Sequence, residues 1–227
     1  MKLERLRELS DKALVRRSAR GDQEAFEILF ERKHRHVYLT AYQVLGDQGR
    51  AEDVVQETFL ALWKHCARYR PRFALDTWLR HIATNKAIDR YRVEKRHPHP
   101  SAGAAARAQG DRAPSSRLWS ACPGQDDPHA TAADATLRAR AAEIQRIWNE
   151  LAEDLSPQQR GAFVLRVIEG SSASEVAEAL GCSLSTVRSH VALARKSLRA
   201  GLAARYPEYL QQAHNTASDK GQRDESG

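Results

Sequence analysis

The chain has little of what indicates a disulfide framework, a zinc site or a membrane span. Its 227 residues include three cysteines, Cys66, Cys122 and Cys182, which are widely spaced and form no Cys-x-x-Cys pair. Scattered cysteines in odd number predict free thiols. There is no run of about 18 apolar residues, and the first residues mix charged with apolar side chains. We therefore expect a cytoplasmic protein without membrane insertion.

Clustered catalytic groups are also missing. The sequence has no glycine-rich phosphate loop, and the carboxylates Glu52, Asp53 and Glu57 have no paired histidine nearby. The spacing of His34, His36, His97, His99 and Cys122 fits no standard metal site, which favours scattered surface histidines. We expect no enzymatic activity, no metal and no cofactor.

What the chain does have is positive charge and helical periodicity. The formal net charge is +7, the isoelectric point is about 9.5 and the mean hydropathy is −0.63, as suits a partner of a polyanion. No stretch alternates apolar and polar residues as a half-buried strand would. The length has room for two small domains. The prediction is an all-α protein of two helical domains joined by a flexible linker.

Residues 1–95 form the first predicted domain. Asp11, Asp22 and Asp76 are predicted helix N-caps, and Gly46 a helix stop. The helix from Ala51 to Trp63 is amphipathic: its inward stripe is predicted to be Val54, Val55, Phe59, Leu62 and Trp63. Its outward residues are Glu52, Asp53, Gln56, Glu57 and Leu60. An acidic face in so basic a chain predicts a docking surface for a basic partner.

The helix that follows Asp76 carries nucleic-acid chemistry on its predicted outward face. Trp78, Leu79, Ile82, Ala83 and Tyr91 are predicted to face inward. The predicted outward set combines base-recognising and phosphate-binding side chains: Arg80, His81, Thr84, Asn85, Asp89 and Arg92.

Residues 96–136 have the composition of a linker, and residues 207–227 that of a polar tail. Residues 137–206 between them form the second predicted domain. The patterns Ser156-Pro-Gln-Gln159 and Ser172-Ala-Ser-Glu175 are capping boxes. Glu175 to His190 then has the layout of a helix-turn-helix, with Gly181 in the turn and Ser183 capping the second helix.

The second helix of this motif is the predicted DNA-recognition helix. Its predicted inward residues are Leu184, Val187, Val191, Ala194 and Leu198. The residues left to contact DNA are Ser185, Thr186, Arg188, Ser189, His190, Arg195 and Lys196. Arg188 is the best candidate for bidentate recognition of a guanine edge.

In this order and spacing, the two halves resemble the sigma-70 family, specifically its extracytoplasmic-function group. The motifs that carry the resemblance are Gly21 to Phe26, Ala51 to Phe59, Trp78 to Asn85 with Asp89 and Arg92, and Glu175 to Arg199. The resemblance implies an alternative sigma factor, in which region 2 binds core RNA polymerase and melts the minus-ten element of promoter DNA. Region 4 then recognises the minus-35 element.

The resemblance also implies residue roles. It assigns polymerase docking to Asp53, Gln56 and Glu57, on the same helix as Phe59 and Leu60. It places Asn85 at the position that contacts an extruded base, and assigns the minus-ten element to Arg80, Lys86, Asp89, Arg90 and Arg92. An anti-sigma factor, where one exists, would have to cover both DNA-binding and polymerase-binding faces.

One alternative stays open from the sequence. The order Thr186-Val-Arg-Ser-His-Val191 also resembles the DNA-binding domain of LuxR-type regulators, which lack the first domain. A stand-alone helix-turn-helix regulator would bind duplex DNA without polymerase and would have no use for the acidic helix.

Overall fold

Helices make up both halves of the protein. The computed structural model describes residues 2–68, 74–96 and 132–209. In the first half these form α1 (Lys2–Arg7), α2 (Asp11–Ser18), α3 (Gln23–Leu45), α4 (Gln48–His65), a 3₁₀ turn (Cys66–Arg68) and α5 (Leu75–Arg96). The second half contains α6 (Ala132–Ala152), α7 (Pro157–Phe163), a π-helical turn (Val164–Ile168), α8 (Ala173–Leu180) and α9 (Leu184–Arg205). The described residues contain no strand, so the all-α prediction is confirmed for them.

Local capping sets most helix ends. Asp22 accepts a hydrogen bond from the Ala25 amide at 3.1 Å, and Gly46 ends α3 with a φ of +70°. Both predicted capping boxes are present, at Ser156 and Ser172. Side chain and backbone need only reach three residues along the chain in such caps, so the sequence alone predicts them.

Two predicted caps are wrong by a residue or more. Ser10, not Asp11, caps α2, and α5 begins at Leu75, so Asp76 lies inside its first turn. Both carboxylates instead bind Lys33 of α3, whose Nζ lies 2.6 Å from Asp11 and 2.9 Å from Asp76. These aspartates therefore join α3 to the starts of two neighbouring helices.

Domain bounds differ slightly from the prediction. Helix α6 begins at Ala132 rather than near Leu137, and α1 was not predicted. Past the predicted domain end at 206, the Tyr209 ring still lies edge-on to that of Tyr206, with centroids 6.3 Å apart. Pro71, most of the predicted linker with His97, His99 and Cys122, and most of the predicted tail lie outside the described residues.

The two halves share one apolar core. Leu29, Val44, Val54, Leu62 and Leu79 form its first-half centre, each at most 1% exposed. Val164 of the second half belongs to the same cluster, with Trp148 and Leu180 packed against it. The second half also has its own small core, around Val176, Val187 and Val191. Among the described helices, none is both long and apolar enough to cross a membrane.

Candidate polymerase and nucleic-acid interfaces

The acidic face of α4 is exposed as predicted, apart from one residue. Asp53 and Gln56 are exposed, Leu60 is 52% exposed, and the predicted inward residues are buried or half-buried. Phe59 is the correction, because it is only 3% exposed and lies edge-on to Phe30 of α3, with ring centroids 4.7 Å apart. Its side chain supports the helix from inside and offers no direct contact to a partner.

Ion pairs connect the acidic face of α4 to α5. Arg90 Nη1 lies 2.7 Å from Asp53, and Lys86 Nζ lies 3.0 Å from Glu57, to which Arg90 also donates. The hydrogen bond from Arg90, assisted by that from Lys86, holds the pKa of the Glu57 carboxyl below its ordinary value. The structure thus pairs two predicted polymerase contacts with two predicted phosphate contacts.

The predicted DNA-contacting face of α5 is covered by the second half. His81 is 7% exposed and Thr84 is fully buried, although both were predicted to face outward. The prediction was wrong because helical periodicity identifies only the face turned away from the helix's own bundle. Helices α7 and α8 pack on that face. Burial lowers the pKa of His81, while Glu175 and Glu178 act in the opposite direction.

Three polar contacts join the covered face to the second half. The Asn85 side-chain amide donates to the carbonyl of Ala179 at 2.6 Å. Arg80 Nη1 donates to Glu169 at 2.9 Å, and the Thr40 hydroxyl donates to the other Glu169 oxygen at 2.8 Å. Asp89 and Arg92 lie away from these contacts, are 72% and 41% exposed, and pair with each other at 3.3 Å.

Sequence reasoning missed a second junction, at the end of α3. The Gln43 carbonyl accepts hydrogen bonds from Trp148 Nε1 at 3.0 Å and from Arg160 Nε at 2.9 Å. Burial lowers the pKa of Arg160 to about 10, so the guanidinium stays charged at neutral pH. A signal was available, because Arg160 precedes Phe163 and Val164 by three and four residues and so shares their helix face.

The recognition helix α9 has the predicted basic surface. Val187, Val191 and Ala194 are buried. Of the predicted DNA contacts, Thr186 and His190 are half-buried, and the others are exposed: Ser185, Arg188, Ser189, Arg195 and Lys196. Leu184 is 47% exposed, against the prediction, because it starts the helix beyond the end of α8. The Ser183 hydroxyl caps the helix and lies 2.7 Å from the hydroxyls of Ser185 and Thr186.

Within the described residues, no group of three histidine, cysteine or acidic side chains could hold a metal ion. Cys66 is buried, with its thiol donating to the Trp63 carbonyl at 3.1 Å, and Cys182 is half-buried. The His34 ring stacks on Phe30, with centroids 5.2 Å apart. Packing accounts for these residues.

Comparison with known solved structures supports the two-domain architecture. The fold is similar to that of CnrH in its complex with the cytosolic domain of CnrY, with a TM-score of 0.56 and 25% identity, covering 86% of this chain and 98% of that one. It is also similar to the sigma factor RpoE of Bartonella quintana, solved with the anti-sigma factor NepR. There the TM-score is 0.51 and the identity 21%, over 79% of this chain and 96% of that one, a likeness of fold alone.

Sequence comparison identifies both halves. Residues 29–97 match the family model of sigma-70 region 2, and residues 145–198 that of sigma-70 region 4. The chain is 32% identical over 199 residues to the ECF RNA polymerase sigma factor SigE of Mycolicibacterium smegmatis, covering 86% of this chain and 69% of that protein. It is 30% identical over 196 residues to the ECF RNA polymerase sigma-E factor of Haemophilus influenzae, covering 84% and 94%.

The region 2 match argues against the stand-alone regulator, which would lack that domain. Sigma factors act in transcription initiation and carry out no reaction of their own. With both regions matched and relatives aligned over most of its length, the chain belongs to the extracytoplasmic-function (ECF) group of sigma-70 family RNA polymerase sigma factors.

Proposed function

We propose that this sigma factor binds core RNA polymerase through α4 and directs initiation at promoters that α5 and α9 recognise. Asp53, Gln56, Glu57 and Leu60 are the docking residues. The proposed complex acts in the cytoplasm, where polymerase and chromosomal DNA are present. The protein supplies binding energy and no catalytic group, so it is not an enzyme.

The observation that carries the docking proposal is the exposed acidic and apolar surface of α4. Asp53 and Gln56 are exposed, and Leu60 leaves 52% of its surface to solvent. An apolar side chain flanked by carboxylates suits a basic protein surface that has a small apolar pocket. The face lies inside the stretch matched to region 2.

For the minus-ten element, we assign the proposed contacts to α5. Asn85 offers amide donors and an acceptor to a base extruded from the non-template strand, and Arg80, Lys86, Arg90 and Arg92 suit its phosphates. Extruding a base costs a few kcal/mol of stacking, which contacts in the pocket must offset. No ATP is needed for such capture.

The minus-35 element is assigned to α9. Arg188, Arg195 and Lys196 lie exposed on one recognition helix, and none of the acidic residues of the chain lies within it. Ser185 and Thr186 stand at the N-terminus of this helix, where hydroxyls and backbone amides suit a phosphate. Arg188 carries most of the proposed base recognition.

Run-off transcription tests the proposal. Purified chain is added to core polymerase with a promoter library, and specific transcripts are sequenced. We expect defined start sites that depend on the chain, and weaker core binding for Asp53→Ala and Gln56→Ala. Glu27→Ala and Gln23→Ala, at exposed positions of α3, are the matched controls. No specific transcript, together with core binding that the α4 variants leave unchanged, would overturn the proposal.

A further inference from the structure

Glu169 of the second half lies where the first half should bind nucleic acid. It follows the π-helical turn, and its side chain is only 8% exposed. One carboxylate oxygen accepts from Arg80 at 2.9 Å and the other from the Thr40 hydroxyl at 2.8 Å. His36 Nε2 lies 3.8 Å from the same carboxylate. All these partners belong to the first half.

The contacts have the chemistry of bound single-stranded DNA. A carboxylate on Arg80 supplies the anionic oxygens that a phosphate would supply. The Ala179 carbonyl accepts from the Asn85 amide at 2.6 Å, as a base carbonyl would. We propose that the second domain inhibits the first by occupying its strand-binding face, with Glu169 in place of a phosphate and the Ala179 carbonyl in place of a base. This inference rests on the proposed function of α5.

The charges around these contacts favour docking of the halves. Helix α8 contributes the acidic residues Glu175 and Glu178, whose charges act on His81 of α5. Arg80 faces the same group of acids through Glu169. An acidic surface of the second half therefore covers a basic surface of the first, as the DNA backbone would.

Close packing accompanies the polar contacts. Helix α7 approaches α5 at Gly161, where an added Cβ would lie 2.5 Å from Ile88 Cδ1 and 3.1 Å from Thr84 Cγ2. Val164 is fully buried in the core cluster of the first half. Apolar burial therefore holds the halves together, while Glu169 and Ala179 decide which groups of α5 are blocked.

Imperfect polar satisfaction makes this closed arrangement reversible. Several buried polar atoms at the junction have no hydrogen-bond partner among the described residues: Gln43 Oε1, Arg80 Nε, Thr84 Oγ1 and Arg160 Nη2. Each such atom would regain water when the halves separate, which lowers the free-energy difference between closed and open states. The closed state suits a protein that must open to work.

Closing and strand binding are mutually exclusive, because the Asn85 amide and the Arg80 guanidinium cannot serve both ligands. The affinity of the free chain for the strand is thereby reduced by the fraction of molecules that are open. Core polymerase, by holding the two domains apart, would release the face together with the promoter.

A reversible crosslink tests whether the halves dock. Thr84→Cys and Gly161→Cys are combined in a chain with Cys122→Ser and Cys182→Ser, keeping the buried Cys66. The 3.1 Å approach at this site suits the short Cβ separation of a disulfide. We expect the bridge to form in the free chain under mild oxidation, and neither single cysteine to change its mobility. A chain that forms no bridge overturns the proposal.

The bridged chain then tests inhibition. With core polymerase, we expect the oxidised form to lose run-off transcription and the reduced form to regain it. Equal transcription from both forms would overturn the inhibitory role even though the halves dock. A wild-type chain that never supports transcription instead removes the proposed function, and the inhibitory role with it, while the bridge still reports on docking alone.

Glu169→Gln tests the carboxylate itself, with Glu27→Gln as the matched control. The probe is the non-template strand of a promoter from the run-off assay, compared with a scrambled strand of the same composition. Removing the charge should tighten specific strand binding by the free chain about tenfold and slow bridge formation. Unchanged binding and bridge formation would show that Glu169 does not hold the closed state.

Discussion

Asn85 on α5 and Ala179 on α8 are joined by a hydrogen bond of 2.6 Å, donated by the side-chain amide to the backbone carbonyl. Ninety-four residues separate them in the chain. The bond places the residue proposed to capture a promoter base under the first helix of the helix-turn-helix. The free protein therefore holds its two DNA-recognising units against each other.

The close approach at Gly161 predicts opposite effects of two glycine-to-alanine changes. Gly49→Ala in α4 meets only ordinary contact, with Asp47 Oδ1 3.7 Å away, and should raise stability by up to about 1 kcal/mol. Gly161→Ala should lose that gain, because its Cβ would overlap Ile88 and Thr84. Thermal unfolding measures both changes, and a Gly161→Ala chain as stabilised as Gly49→Ala would contradict the close packing.

Adjacent residues of α4 should separate binding from stability. Phe59→Ala leaves a cavity beside Phe26 and Phe30 and should lower the free energy of unfolding by about 3–5 kcal/mol. Leu60→Asp, at a position 52% exposed, should leave stability nearly unchanged and weaken binding to core polymerase at least about tenfold. Denaturant titration and core-binding titration are the two measurements. Normal core affinity of Leu60→Asp would exclude Leu60 from the docking surface.

The Glu57 ion pairs predict a specific acid response. The pKa of Glu57 is below its ordinary value of 4.5 in the folded chain, so the pairs stabilise the fold above that pH. This contribution is lost as the pH falls through the lowered folded value. The carboxyl is 39% exposed, which limits the effect to less than about 1 kcal/mol.

Removing Arg90 tests this response. Arg90→Ala should raise the pKa of the Glu57 carboxyl toward its ordinary value, leaving only the pair with Lys86, and should reduce the loss of stability in acid. Side-chain carboxyl titration by NMR measures the pKa. Arg92→Ala, which removes the partner of Asp89, is the control. A Glu57 titration identical in wild type and Arg90→Ala would refute the pairing.

Two basic residues of α9 should affect promoter binding differently. Arg188→Ala should cost about 1–3 kcal/mol and relax base preference at one minus-35 position. Lys196→Ala should weaken binding to all sequences alike and reduce the salt slope by about one. Holoenzyme binding to promoter variants at several salt concentrations distinguishes them. Arg205→Ala, whose partner is Asp154 on α6, serves as control.

The amino-acid sequence by itself determined the helices and the chemistry of their faces. Asp22, Ser156, Ser172 and Ser183 cap their helices through contacts that reach only three residues along the chain. The apolar stripe of α4 follows from helical period, which depends on backbone geometry alone. Motifs in order and spacing were enough to indicate the family.

Tertiary structure decided which of these faces solvent can reach. Periodicity placed His81, Thr84 and Asn85 on the outer face of α5, but only the docking of α7 and α8 shows that this face is covered. Phe59 and Leu184 exchanged their expected environments for the same reason: burial depends on what packs against a helix, and that partner comes from distant parts of the chain. Glu169, between two elements and without a motif, became a candidate inhibitor only when folding brought it to Arg80.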